Sequence, residues 1–419
     1  MSDNQIICGD AIQVLKGMPN GTVDCCVTSP PYWGLRDYGV EGQLGLEKTP
    51  ELFVEKMVDV FREVRRVLKK EGTLWLNLGD TFYGGGRNRG NTQEVSDKQK
   101  SNWGASGDET CNFEWMKHPV LKPKDLCGIP WRVAFALQAD GWWLRQDIVW
   151  SKPNPMPESV TDRCTKAHEY IFLMTKSAKY YFDKEAIKEE ATGYDGRKDI
   201  IMKGSPKYAS GFIPYQSTQT IAVRGHERWQ TRKNNGTEYG GNGTGFQNHS
   251  GYSNLENPYI RNKRSVWTVS TQPYSEAHFA VFPEKLIEPC VLAGCPEWVC
   301  AKCGKARERI SETTYEKHGK GTVGGRGRFS AEDNSGFTGK PNMRRIDTTV
   351  GFTDCGCKAG WGSGIILDPF FGAGTTGLVA YKNRRDYIGI ELNGEYIKMA
   401  TNRIHAEKDK MGLFAESEK

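Results

Sequence analysis

The sequence has no run of about 18 apolar residues, the least that spans a bilayer as a helix. Its first nine residues, Met1–Gly9, lack the basic patch and apolar stretch of a secretory signal. A cytoplasmic protein with no membrane partner is therefore expected. No segment repeats at a fixed period, which sets solenoids and propellers aside. Charge of one sign is also scarce, since 57 Lys and Arg face 51 Asp and Glu for a net charge of +6. That small excess is unevenly placed. Residues 191–270 hold eleven Lys/Arg against five Asp/Glu, an excess equal to that of the whole chain. Such a stretch suits a phosphate-facing surface, although solvated loops can look alike. Cysteine is not scarce. Twelve of them in an intracellular chain argue for buried thiols or metal ligands before disulfides.

Hydrophobic periodicity predicts an α/β core. Gln5–Cys8, Val23–Thr28, Thr73–Leu78, Trp143–Trp150 and Glu169–Thr175 read as strands, and Ala11–Met18 and Trp131–Asp140 as helices. Pro50–Lys70 is expected to be a helix stopped by Gly72, with Phe53, Met57, Val60, Phe61, Val64 and Leu68 along one face. Residues 81–121 are rich in Gly, Asn and Ser and read as a mobile loop. Residues 191–270 show no periodicity and are expected to stay outside the central sheet. Pro283 can open a helix whose apolar face is Leu286, Ile287, Cys290 and Val291. The chain then closes with a strand at Ile365–Leu367, a helix to Tyr381, a strand at Tyr387–Ile390 and a helix from Asn393.

Two short motifs carry chemistry. In Ile365-Ile366-Leu367-Asp368-Pro369-Phe370-Phe371-Gly372-Ala373-Gly374-Thr375-Thr376-Gly377, Gly372 and Gly374 sit in a tight turn between strand and helix. Glycines there let backbone N–H groups approach a ligand at a helix N-terminus. Glu391 ends the next strand, where a carboxylate can take two ribose hydroxyls. The loop is set apart from the dinucleotide fingerprint, which disfavours a nicotinamide oxidoreductase. The second motif, Thr28-Ser29-Pro30-Pro31-Tyr32-Trp33, stands where a strand stops, and its prolines stiffen the turn.

The loop D-P-F-F-G-A-G-T-T-G closely resembles the S-adenosylmethionine (AdoMet) motif of amino-methylating DNA methyltransferases. With Ser29-Pro30-Pro31-Tyr32 first and the cofactor loop last, the order is similar to that of the permuted β class of N4-cytosine/N6-adenine enzymes. The resemblance implies a Rossmann-like AdoMet-dependent methyltransferase core with circularly permuted motif order. Residues 1–190 would form its catalytic half; 271–294 and 361–419 would form its AdoMet-binding half. It implies that Asp368, Phe371, Gly372, Gly374, Thr375 and Thr376 surround AdoMet with Glu391. In His278–Leu286, Phe279 and Phe282 would lie near AdoMet or pack in the core. Asp10, in Cys8-Gly9-Asp10, would contact its adenine or cap the following helix. Segments 76–80 and 150–155 would line the target pocket, with Trp150 and Lys152 helping to hold the flipped base or Trp150 packing in the core, and with Asp80 exposed at a strand end or simply capping a turn.

In that reading an exocyclic amine is a poor nucleophile, because its lone pair delocalises into the ring. Ser29 Oγ and the Pro30 carbonyl would hold its hydrogens out of plane, while Tyr32 offers a face for an extruded base. Serine at the first position favours cytosine N4 over adenine N6. A C5-cytosine enzyme would need a nucleophilic cysteine after proline; Pro289-Cys290 has that dipeptide, but its helical position makes Cys290 a core residue. Residues 191–270, with Arg and Lys interleaved with Tyr and Trp, are expected to be the target-recognition insertion on double-stranded DNA. Residues 295–360 carry two close cysteine pairs, Cys300/Cys303 and Cys355/Cys357. Four thiolates suit tetrahedral Zn²⁺ in a zinc-ribbon-like insertion, with unmetallated thiols as the other possibility. Its arginines, including Arg307 and Arg309, could touch DNA.

Overall fold

The structure is a computed structural model that describes residues 4–34, 40, 42–84, 118–190, 260–272, 281–317 and 343–417. The expected positions Phe279, most of 81–121 and most of 191–270 lie outside the described residues. Two compact units are present, Met1–Ala186 with Arg264–Lys419, and Ile187–Lys263. Within the second, β6 (Glu189–Glu190) pairs antiparallel with β7 (Ile260–Arg261).

The first unit is built on one eight-stranded sheet. Its strands are β1 (Asn4–Cys8), β2 (Val23–Thr28), β3 (Leu68–Leu78), β4 (Trp143–Ser151), β5 (His168–Thr175), β8 (Val266–Thr268), β13 (Ile365–Asp368) and β14 (Asp386–Glu391). They lie in the order β1-β14-β13-β2-β3-β5-β4-β8. The neighbours from β1 through β3 are parallel, whereas β5 runs antiparallel to both β3 and β4. Strands from the two ends of the chain thus meet at the β13–β2 pair. In an open α/β sheet, ligands bind beyond the carboxyl ends of strands where the order reverses. That edge gathers the ends of β1, β2, β3, β4, β13 and β14 and, because it runs the other way, the start of β5.

Helices α1 (Ala11–Gly17), α2 (Pro50–Val67), α3 (Ile129–Ala139), α4 (Glu284–Gly294), α5 (Thr375–Lys382) and α6 (Gly394–Ser417) accompany the sheet. Thr49 caps α2 by accepting from the Leu52 amide at 3.3 Å, and Pro50 occupies the first turn, where no N–H is needed. Phe53, Met57, Val60, Phe61 and Val64 are wholly buried, as the spacing predicts. Each such side chain is worth about 1.5–3 kcal/mol in burial.

Two expectations are corrected here. Helix α2 ends at Val67, and the chain enters β3 at once, so Gly72 lies inside a strand. A Cβ on Gly72 would sit 3.0 Å from the Lys69 carbonyl and 3.1 Å from that of Asp24; the glycine marks close backbone approach, not a helix stop. The start of β3 is anchored by Lys69, whose Nζ lies 2.7 Å from Asp24. The second correction concerns residues 191–270, expected to lie outside the sheet. Val266–Thr268 adds a parallel edge strand to β4, with Trp267 buried. Three residues are too few to show a period. Residues 295–360 also contain strands that the sequence did not signal. These are β9 (Val299–Cys300), β10 (Arg309–Lys317) and β11 (Met343–Phe352); β9 pairs with β12 (Trp361–Gly362), and β10 pairs with β11.

Candidate active site

The glycine loop leaves β13 through Asp368, which is buried with both carboxylate oxygens engaged. Thr28 and Thr376 hydroxyls each donate to it at 2.6 Å, and the Phe370 amide donates at 3.0 Å. Burial pushes its carboxyl up to about 6 despite these donors. Asp368 therefore ties the last residue of β2 to the first turn of α5. Phe371 is also internal, its ring stacked on Tyr387 at 5.8 Å between centroids. The ring fills space left by two glycines, since a Cβ would come within 2.4 Å of it from Gly389 and 2.5 Å from Gly377. Thr375 and Thr376 are buried, Thr375 accepting from Arg403 at 2.8 Å. The side chains of Asp368, Phe371, Thr375 and Thr376 thus shape the loop from within.

What faces outward is different. Gly372 has φ +50°, with open space where a Cβ would stand, and its amide donates to Glu391 at 2.7 Å. Gly374, with φ +75°, instead presses against Ala400, 2.7 Å from a Cβ. Glu391 also accepts from the Asn393 amide at 2.9 Å, and burial raises its pKa. The Gly9 amide bonds the Glu391 carbonyl at 3.0 Å, bringing Asp10 to this corner. Asp10 caps α1 through the Gln13 amide at 3.0 Å. Phe282 is half-buried just before α4. The first-turn amides of α5 have no partner within their own helix. Loop spacing does not speak against a nicotinamide cofactor, contrary to expectation, because Gly372, Gly374 and Gly377 fall in the G-x-G-x-x-G pattern itself.

The tetrapeptide leaves the adjacent strand. Every residue of β2 is buried, and so is Pro30, whereas Ser29, Pro31 and Tyr32 are half-buried. The Tyr32 ring lies against Gly79, where a Cβ would come within 2.5 Å of it. Its hydroxyl donates to Glu169 at 2.7 Å, with Asn77 Oδ1 at 3.1 Å as a second acceptor. Ser29 Oγ lies 3.4 Å from that same hydroxyl. Asn77 Nδ2 donates to Glu169 at 3.2 Å and to the Tyr170 carbonyl at 3.0 Å. Lys152 forms an ion pair with Glu169 and stands 4.2 Å above the Trp150 ring. Sequence reasoning missed Glu169. A carboxylate at the start of a strand gives no sign that the strand runs antiparallel and delivers it to this edge.

Trp150 and Asp80 take the structural one of the two roles expected for each. Trp150 is buried and donates to the Val269 carbonyl at 2.8 Å. Asp80 takes the Gly128 and Ile129 amides at 3.1 and 3.0 Å, capping α3. Lys166 bonds the Asp80 carbonyl, and burial lowers its pKa.

A profile of the DNA methylase family with N6 and N4 specificities matches residues 23–298 and 358–402. The chain belongs to this DNA methylase family. Type II methyltransferase M.Cfr9I of Citrobacter freundii is 36% identical over 95% of this methylase and 87% of its own length. Type II methyltransferase M.SmaI of Serratia marcescens is 36% identical over 96% and 90%. Among solved structures, a DNA modification methylase of Thermus thermophilus complexed with S-adenosyl-L-methionine aligns at TM-score 0.43. Its identity is 18%, over 96% of this chain and 94% of that one. The likeness is distant and supports no residue roles.

The methylase also gathers its four paired cysteines. The sulfurs of Cys300, Cys303, Cys355 and Cys357 all lie within 4.8 Å of one another. Each pair turns on a left-handed glycine, Gly304 at φ +69° and Gly356 at φ +74°. Backbone N–H groups of Cys303 and Lys302 hold Cys300 down to about 6, while hydrogen bonds from its own thiol to Cys355 and Cys303 push Cys357 up to about 12. No disulfide joins the described cysteines, and Cys290 is buried on α4 as expected. Arg309 pairs with Asp183 at 3.2 Å, and Arg307 lies over the Phe352 and Trp361 rings. Both arginines are thus engaged within the protein.

Proposed function

We propose that this methylase transfers the methyl group of AdoMet to N4 of a cytosine extruded from double-stranded DNA. The observation that carries the reading is the adjacency of the two loops, with Asp368 hydrogen-bonded to Thr28 of one and Thr376 of the other. That link fixes a glycine loop suited to a nucleoside ligand beside a turn bearing neutral acceptors. Gly372 leaves room for close approach, Glu391 stands where ribose hydroxyls would bind, Asp10 lies at the same corner, and Phe282 would reach AdoMet from just before α4. These residues suit AdoMet, which supplies an electrophilic methyl on sulfonium. Ser29 Oγ and the Pro30 carbonyl would orient the amine, and the Tyr32 ring would carry the base.

Serine at the head of the tetrapeptide supports cytosine through the family resemblance, in which serine is commoner in N4-cytosine enzymes and aspartate in N6-adenine enzymes. The basic 191–270 segment would read the DNA sequence. Cys300, Cys303, Cys355 and Cys357 fit a structural zinc: tetrahedral bonds of ~2.3 Å place sulfurs ~3.8 Å apart, within the observed spread. Mass spectrometry of nucleosides from DNA treated with the enzyme and AdoMet should show N4-methylcytosine. N6-methyladenine would overturn the choice of base, and absence of both would overturn the activity.

A further inference from the structure

We propose that Glu169 is the terminal acceptor for the proton released from the target amine, reached through the Ser29 and Tyr32 hydroxyls. The proposal rests on the tetrapeptide reading above and adds a route that the reading leaves open. When the amine nitrogen forms its bond to the methyl carbon and the sulfonium bond breaks, the nitrogen carries positive charge and one surplus proton. A neutral methylamino product requires that proton to leave. Orienting acceptors alone do not remove it, and Pro30, with only a carbonyl, cannot pass a proton on.

A continuous path starts at Ser29. Its hydroxyl faces the Tyr32 hydroxyl at 3.4 Å, a separation that tightens with modest rotation once substrate binds. Tyr32 already donates to Glu169 at 2.7 Å. As the amine proton passes to Ser29 Oγ, the Ser29 proton moves to Tyr32, and the Tyr32 proton moves to Glu169. Both hydroxyls end as they began, and Glu169 ends protonated. Only about 13% of the Glu169 side chain is exposed. The neighbours facing it are Asn77 on β3, Lys152 just beyond β4, the Tyr32 hydroxyl and, at longer range, the half-buried Lys166 ammonium. Lys152 pairs with this carboxylate and fixes it against the Tyr32 hydroxyl. A surface salt bridge would not need a tyrosine hydroxyl pinned between it and a catalytic turn, nor a glycine at position 79 clearing space for that ring.

Tyr32→Phe tests the path while keeping the stacking face. Single-turnover methylation should slow by about a hundredfold, the lower end of the range for a lost general base. Calorimetric affinities for AdoMet and for DNA carrying an abasic target site should stay unchanged. Glu169→Gln should slow turnover similarly, and the double variant should be no slower than either single one. The rate of the wild-type enzyme should fall in D₂O, and this solvent isotope effect should change in Tyr32→Phe. Wild-type single-turnover rates in Tyr32→Phe would overturn the relay. So would an unchanged isotope effect in that variant, even if Glu169→Gln lost activity through misfolding. Full activity in Ser29→Ala with Tyr32→Ala would instead defeat the underlying tetrapeptide reading.

Discussion

The loops after β13 and β2 leave neighbouring strands at the same sheet edge, yet they are built in opposite ways. After β13, the polar side chains turn inward: Asp368, Thr375 and Thr376 are buried and hydrogen-bonded. That loop offers a ligand its backbone, an open glycine and Glu391. After β2, the prolines immobilise the backbone while Ser29 and Tyr32 project against a charged group that faces the site. The difference matches two tasks. Holding a cosubstrate needs fixed dipoles and close approach, whereas chemistry on an amine needs side chains that exchange protons.

The largest expected effect breaks the first loop alone. Gly372→Asp places a carboxylate in the open space beside Glu391, at a φ that aspartate tolerates better than most residues. Calorimetry should show AdoMet affinity falling by more than a hundredfold with the fold intact, and Gly372→Asn should fall much less. Equal losses would mean that shape, not charge, governs the site. Gly374 is a poorer probe, because its substituent would strike Ala400.

Next in size is the second loop. Tyr32→Ala also removes a stacking face worth about 1–3 kcal/mol, so turnover should fall about ten- to a hundredfold below that of Tyr32→Phe. AdoMet affinity should not change; a matching loss there would dissolve the distinction between the loops.

A smaller effect concerns the link between them. Asp368 is expected near 3.8 when unfolded and is raised to about 6 in the fold, so its neutral form is the one the fold favours. Stability from that preference is full below pH 4 and is lost as pH rises through about 6. Asp368→Asn stays neutral throughout. Relative to this variant, the wild-type melting temperature should drop by a few degrees between pH 4 and pH 8. Other groups, including Glu391, are common to both proteins and largely cancel. A parallel pH dependence in both would show that Asp368 titrates as an ordinary carboxylate.

The sheet was legible because its strands are apolar runs and α2 has a clean stripe, Phe53 to Val64. The two loops were legible because glycine and proline announce turns locally. Side-chain direction was not. Nothing in D-P-F-F-G-A-G-T-T tells that Phe371 enters the core while Gly372 faces outward, since that depends on Gly389, far along the chain on the next strand. Glu169 was hidden for a similar reason: its partners Tyr32, Asn77 and Lys152 come from three other segments. Between pocket and cap, Asp80 could not be decided, because its cap recipients, Gly128 and Ile129, lie across a long loop.

The smallest expected effect at either loop comes from removing metal, and it sharpens the comparison by marking what the loops do not need. Four sulfurs within 4.8 Å of one another repel as thiolates, so a cation between them is needed for all four to ionise. Protein purified without chelator should hold about one equivalent of zinc, with four-sulfur coordination by X-ray absorption. A closed set of four thiolates leaves no position for a catalytic water, so the ion would act only on local folding. Chelation should therefore increase hydrogen exchange at Val299–Cys300 and Trp361–Gly362, the strand pair joining the two knuckles. The Gly372 loop takes its geometry from Asp368, Phe371 and Glu391, none of them bonded to the cysteine unit. AdoMet affinity should thus stay within about twofold of the metal-loaded value, a difference of roughly 0.4 kcal/mol. Loss of AdoMet binding on chelation would tie the two regions together, and purified protein without metal would leave the cysteines as free thiols.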